Sequence, residues 1–210
     1  MARPAKNADL HGNVPDASPL AVLLVDVIND LQFEGGDRLL LQARPMARRL
    51  ATLCRRARAL GVPVVYVNDN FGKWRSDFAA LVRHCLRDPV RGRPIARALR
   101  PAAGDYFVLK PKHSGFFATP LEVLLTYLKT ERLIVAGLTT DRCVLFTAGD
   151  ALMRDFHVHV PRDCVASIDR DDDARALVQM ERVLGIDVAP SRDLDLATLA
   201  RRRRGGRRAA

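Results

Sequence analysis

The chain has 210 residues and a mass of 23.3 kDa, enough for one medium domain with its own core. Hydrophobic residues make up 48% and charged residues 28%, an ordinary globular balance, and no apolar run approaches the roughly 18 residues of a membrane-spanning helix. The net charge of +10 owes much to the closing RRRRGGRRAA; without its six arginines the basic excess is four, so nucleic acid is expected only as a non-specific partner of this tail.

Residues 1–18 are rich in Pro, Asn, Asp and Ala without an apolar period and read as a flexible arm. The apolar run Leu20 to Val27 has strand length and suggests a strand buried on both faces. It is short and holds Asp26, unlike the apolar segment of an export leader. Cys54, Cys85, Cys143 and Cys164 are scattered with no CxxC pair, so they read as free thiols in a reducing cytoplasm. After Gly35-Gly36, Arg38 to Leu60 carries apolar residues at helical spacing, with Gly61 placed for a left-handed terminus. Val62 to Val67 reads as a second strand. Asn68 to Pro101 is an excursion with helical pieces at Ser76 to Leu86 and Pro94 to Leu99.

Tyr106 to Leu109 is a third strand and Leu121 to Leu128 a helix opened by Thr119-Pro120. Leu133 to Ala136 is a fourth strand, and Cys143 to Arg154 a helix capped by Thr140 or Asp141. His157 to Val160, a helix over Asp171 to Leu184, and a short strand at Ile186 to Val188 complete the body. Six short strands separated by helices predict an α/β fold: a three-layer α/β/α, doubly wound domain with a six-stranded parallel sheet, over residues 19–195. Residues 196–210 read as a basic tail without fixed structure.

Ligands of open parallel sheets bind beyond the carboxyl ends of the strands. The first strand ends in Asp26, the third in Lys110, and the fourth in a Gly-Leu-Thr-Thr-Asp-Arg turn that delivers Cys143 to a helix start. An acid, an amine and a thiol therefore share one sheet edge. The chain uses 29 Arg and only five Lys. A lysine kept at a strand end suggests a need for a compact ammonium. A cysteine at a helix N-terminus gains thiolate character from the unpaired amides. There is no HExxH, GxGxxG or GxxxxGK[ST], so no metal site or cofactor is expected.

These residues lie in motifs that resemble the isochorismatase-like cysteine hydrolases, the superfamily of nicotinamidases and N-carbamoylsarcosine amidases. Asp26-Val-Ile-Asn-Asp-Leu31 resembles the family's D-x-Q-N-D-F opening. Val108 to Phe117 (VLKPKHSGFF) resembles its K-x-x-x-S-x-F segment, and Val135 to Val144 with Thr147 to Ala151 its nucleophile motif. The resemblance runs from about Leu20 to Val188. It implies a catalytic triad of Cys143, Asp26 and Lys110, a non-proline cis peptide at Leu138-Thr139, and an oxyanion hole from the amides of Thr139 and Cys143. It also implies frequent homo-oligomers. The family's Gln is Ile28 here and its Phe is Leu31, with Phe33 two residues on. The histidines of the metal-dependent nicotinamidases are missing after the second strand, where the chain reads Asn68 to Trp74. Members acting on isochorismate itself generally lack the cysteine. The expected activity is therefore metal-independent hydrolysis of an amide-type C–N bond in a small molecule through a thioester. Asn29, Phe33, Phe71, Trp74, His113 and Phe116 are candidates for the substrate pocket. The alternative is a non-catalytic scaffold on the same fold, tethered to nucleic acid by its tail.

Overall fold

A computed structural model describes residues 17–72 and 77–201. The elements alternate along the chain. β1 (Leu20–Val25) leads to α1 (Gly36–Ala59) and β2 (Val64–Asp69). α2 (Phe78–Arg87) and α3 (Arg93–Ala98) precede β3 (Tyr106–Lys110). α4 (Leu121–Tyr127), β4 (Arg132–Leu138), a π-helical turn (Thr140–Val144) and α5 (Leu145–Leu152) follow. β5 (His157–His159), β6 (Val165–Ala166), α6 (Arg170–Arg182) and α7 (Leu196–Leu199) close the body. The strands are parallel in the order β3-β2-β1-β4-β5, with β6 also pairing β4.

The unbroken apolar run of β1 explains its central place. Leu20, Val22 and Leu24 join the core on the α1 side, with Tyr66, Ile134 and Leu50. Ala21, Leu23 and Val25 join the core on the opposite side, with Val65, Val135 and Leu125. Successive side chains of a strand point to opposite faces, so a strand covered on both sides must be apolar throughout. Helices on both faces complete a three-layer α/β/α fold.

Several boundaries differ from the sequence pattern. β2 starts two residues later than the run Val62–Val67, because the Val62 amide closes α1 on the Ala57 carbonyl (3.0 Å) and Pro63 has no N–H to give. The sixth strand is Val165–Ala166, paired with Gly137 and Leu138. Ile186 to Val188 instead contributes a single bridge, His159 to Asp187. A two-residue strand carries no legible period. The body also extends past the expected limits at both ends. Ser18 is buried and its amide bonds the Leu128 carbonyl (2.9 Å), and Leu196 is buried in α7. The remainder of the expected arm and tail, residues 1–16 and 202–210, lies outside the described residues.

One close approach sets the strand ends. Gly137 in β4 pairs with Val25 in β1 and has φ of 120°. A Cβ on Gly137 would sit 2.1 Å from the Val25 carbonyl oxygen. Backbone cannot yield there without moving the end of β1, which carries Asp26. Gly137→Ala is expected to cost about 3 kcal/mol or more in urea unfolding. Gly61→Ala, at φ of 67° with nothing within 4 Å, should cost only about 1 kcal/mol. Equal costs at the two positions would contradict the packing argument.

Candidate active site

Asp26 follows β1 directly. Its amide bonds the Val67 carbonyl (3.0 Å), and it takes a positive φ of 51°, which Asp tolerates better than most residues. Lys110 is the last residue of β3 and pairs in register with Asp69, the last of β2. β3 lies two strands from β1, so the two side chains must meet over β2. They do so by leaning toward each other. Asp26 Oδ1 accepts the Asp69 amide at 2.7 Å, and Asp26 Oδ2 lies 2.8 Å from Lys110 Nζ. The strand itself delivers Lys110.

Cys143 approaches from the other flank of β1. β4 ends at the cis peptide Leu138-Thr139, and Thr139 is extended. The Thr139 carbonyl accepts the amides of Arg142 (3.2 Å) and Val144 (3.1 Å), which fixes the turn. The predicted α-helical start at Cys143 is instead this π-helical turn, with Thr139 at the cap position and α5 beginning at Leu145. Lys110 Nζ donates to Cys143 Sγ at 3.5 Å, and the thiol also hydrogen-bonds the Asp26 carboxyl. His113 Nδ1 stands 3.8 Å from the same sulfur.

Burial sets the proton affinities. It pushes the Asp26 carboxyl above the ordinary carboxylate value, against the opposing charge of Lys110 and the hydrogen bonds of Lys110, Cys143 and Asp69. Burial alone would lower the Lys110 ammonium. The charges of Asp26 and Asp69 and the Asp26 hydrogen bond, joined by Cys143 when it is ionised, outweigh it and hold the amine above its usual value. The Cys143 thiol is pushed up to about 12 by burial and then by Asp26, with Lys110 pulling the other way. At rest the cysteine therefore keeps its proton beside an unusually basic carboxylate. Cys54, Cys85 and Cys164 are fully buried, whereas Cys143 is partly exposed.

Asp26 and Cys143 open onto a cavity of about 480 Å³. Asn29, Phe33 and His113, three of the six pocket candidates, line it, and so does Thr139. Asn29 also has a structural duty, accepting the Leu31 amide at 2.8 Å. Phe116 does not line the cavity. It is buried in the core, 6.0 Å from the Phe156 ring and beneath the Arg154 guanidinium. Phe71 is exposed on the turn after β2 and is not among the described lining residues. Trp74 lies outside the described residues. Arg38, Asp69, Asp141 and Asp172 also line the cavity and were not among the pocket candidates. Asp69 ends β2, so the rule that found Asp26 and Lys110 reaches it as well. A larger groove of about 820 Å³ lies elsewhere, beside Arg56 and Ser191, and none of the expected site residues lines it. His84, the first histidine after β2, sits on α2 and bonds Asp88 at 2.6 Å.

Known proteins share this arrangement of elements. The isochorismatase domain model matches residues 20–190. The uncharacterised isochorismatase family protein YaaI of Bacillus subtilis (strain 168) is 37% identical over 168 residues, 80% of this chain and 92% of that protein. Maleamate amidohydrolase of Pseudomonas putida is 28% identical over 179 residues, 82% of this chain and 84% of that one. The crystal structure of N-carbamoylsarcosine amidase from Thermoplasma acidophilum superimposes with a TM-score of 0.63 at 28% identity, covering 84% of this chain and 98% of the other.

The buried pair has a thermodynamic signature. Lys110→Met leaves Asp26 facing no ammonium and is expected to cost about 3–5 kcal/mol at neutral pH. Adding Asp26→Asn should recover most of that loss, measured as a double-mutant cycle by urea unfolding. Strictly additive losses would show that the two groups do not interact.

Proposed function

Because this chain belongs to the isochorismatase family, whose named relatives include maleamate and ureidoacrylate amidohydrolases, we propose that it hydrolyses an amide-type C–N bond of a small molecule through a thioester on Cys143. One observation carries this reading. A fully buried ammonium contacts both a carboxylate and the one partly exposed thiol, at the floor of a cavity large enough for a small molecule.

Asp26 takes the thiol proton as Sγ attacks the carbonyl carbon. A resting thiol pushed up to about 12 makes transfer concerted with attack the favoured course, since free thiolate is scarce. Lys110 keeps its charge throughout and steadies the thiolate and carboxylate as the proton passes between them. The amides of Thr139 and Cys143 face the developing oxyanion. The C–N bond breaks as Asp26 returns the proton to the leaving nitrogen. Water then attacks the thioester, giving its proton to Asp26. The C–S bond breaks, and the sulfur recovers that proton. The scaffold alternative has no observation in its favour, because a non-catalytic fold gains nothing from burying Lys110 beside a thiol.

Ammonia release from a panel of small amides tests this reading. Cys143→Ala and Asp26→Asn should each lose about 10³-fold or more in kcat. The acid limb of kcat/KM should lie above the ordinary carboxylate value of 3.8, because a base with a raised pKa is lost earlier as pH falls. Undiminished turnover by Cys143→Ala would overturn the nucleophile assignment.

A further inference from the structure

We propose that the substrate carries a carboxylate at the end remote from the scissile amide, and that Arg38 receives it. This specifies the substrate of the proposed hydrolase and rests on that reading. The inference comes from accounting for the charged groups that line the catalytic cavity. Asp26 and Asp69 face Lys110. Asp141 accepts the Ser167 hydroxyl at 2.6 Å and lies 3.6 Å from Arg142. Asp169 caps α6 through the Asp171 amide (2.7 Å), and Asp172 holds Arg175 at 2.5 Å. Every acid and Arg142 thus has a protein partner. Arg38 is the exception: it lines the same cavity, yet no ion pair or hydrogen bond of its side chain exists among the described residues.

Its position argues against a purely structural purpose. Arg38 stands in the first turn of α1, where the helix dipole opposes a positive side chain. Gly35, at φ of 79°, is its neighbour: a Cβ there would sit 3.6 Å from Arg38 Nη2, an ordinary van der Waals distance, and 3.2 Å from Ile168 Cγ2. The guanidinium therefore lies close to Gly35, and Arg38 and Ile168 both line the cavity. A guanidinium presents a planar fork that matches a carboxylate. Leu31, Phe33 and Leu39 add apolar surface to the same cavity. A short acid amide uses these three kinds of group: an amide carbonyl at the sulfur, a hydrocarbon link against the apolar side chains, and a carboxylate at Arg38. An amide bearing a cation is the opposing case, since it would meet like charge at Arg38 and find its attraction instead at Asp169, whose carboxylate is bonded to backbone amides.

Three small amides separate the cases: succinamate, butyramide and 4-aminobutyramide, which share a linear amide and differ in the charge of the far end. Wild-type protein should show a KM for succinamate about tenfold or more below that for butyramide. Arg38→Gln should raise the succinamate KM about tenfold, with kcat within about twofold and butyramide unaffected. Arg38→Lys should fall between. A second readout needs no turnover: succinamate should shield Cys143 from iodoacetamide in the wild type and fail to do so in Arg38→Gln. Unchanged urea unfolding midpoints confirm that the exposed substitutions leave the fold intact. A preference for 4-aminobutyramide, an equal effect of Arg38→Gln on all three amides, or absence of succinamate protection overturns the assignment. Protection that depends on Arg38 without release of ammonia from any amide would instead refute the hydrolase reading alone.

Discussion

The buried ammonium of Lys110 is the constraint around which the remaining geometry is arranged. A charge removed from water is tolerable only beside opposite charge and hydrogen-bond acceptors. The fold supplies Asp26 at 2.8 Å and Asp69 at 3.7 Å, from the ends of β1 and β2, which precede β3 in the chain. Asp26 must lean across the end of β2 to serve, which explains its positive φ and its bond to the Asp69 amide. The close contact of Gly137 with Val25 then brings β4 tight against β1 and lets the turn after it place Cys143 on the free side of the pair. Each step narrows the next, and the sheet edge becomes a site where one proton can move between sulfur and carboxylate under a fixed positive charge.

That arrangement separates two chemical tasks. Asp26 is made more basic by burial, and Lys110 keeps its charge because its neighbours are acidic. A carboxylate of ordinary strength would be a poor base for a thiol, and a bare thiol in an apolar pocket would stay protonated. Lys110 reconciles them, since it favours the charged form of whichever partner has given up the proton. In the proposed reaction the thiol's high proton affinity at rest would also guard it, since a protonated sulfur is less open to oxidation than a standing thiolate.

Much of this was legible in the residues because burial on two faces leaves a plain trace. The runs at β1, β2 and β4 are apolar without alternation, so both their nature and their centrality could be read. The polar residues that end β1 and β3 then stood out against them. The π-helical turn at Cys143 was not legible, since a wider hydrogen-bond spacing has no distinctive residue pattern. β6 was missed because two residues cannot display a period, and its role was given to Ile186–Val188, whose two apolar residues, Ile186 and Val188, are buried in the core for a different reason than strand pairing. Phe116 shows the limit for pocket walls. An aromatic residue in a turn can face a ligand or the core, and here Phe156 and the Arg154 guanidinium lie against its ring. Arg38 lay hidden among 29 arginines; only the structure reveals that its neighbours in the cavity are already paired.

The proposed chemistry requires sulfur to hold the acyl group for a finite time. The most direct measurement is rapid acid quenching of the protein during turnover of an amide substrate, followed by intact-mass and peptide analysis. The expected result is an acyl adduct on Cys143 that forms together with a burst of ammonia and disappears on treatment with hydroxylamine. Sustained ammonia release with unmodified Cys143 at every quench time, undiminished in Cys143→Ala, would contradict a thioester route and with it the central role given to this sulfur.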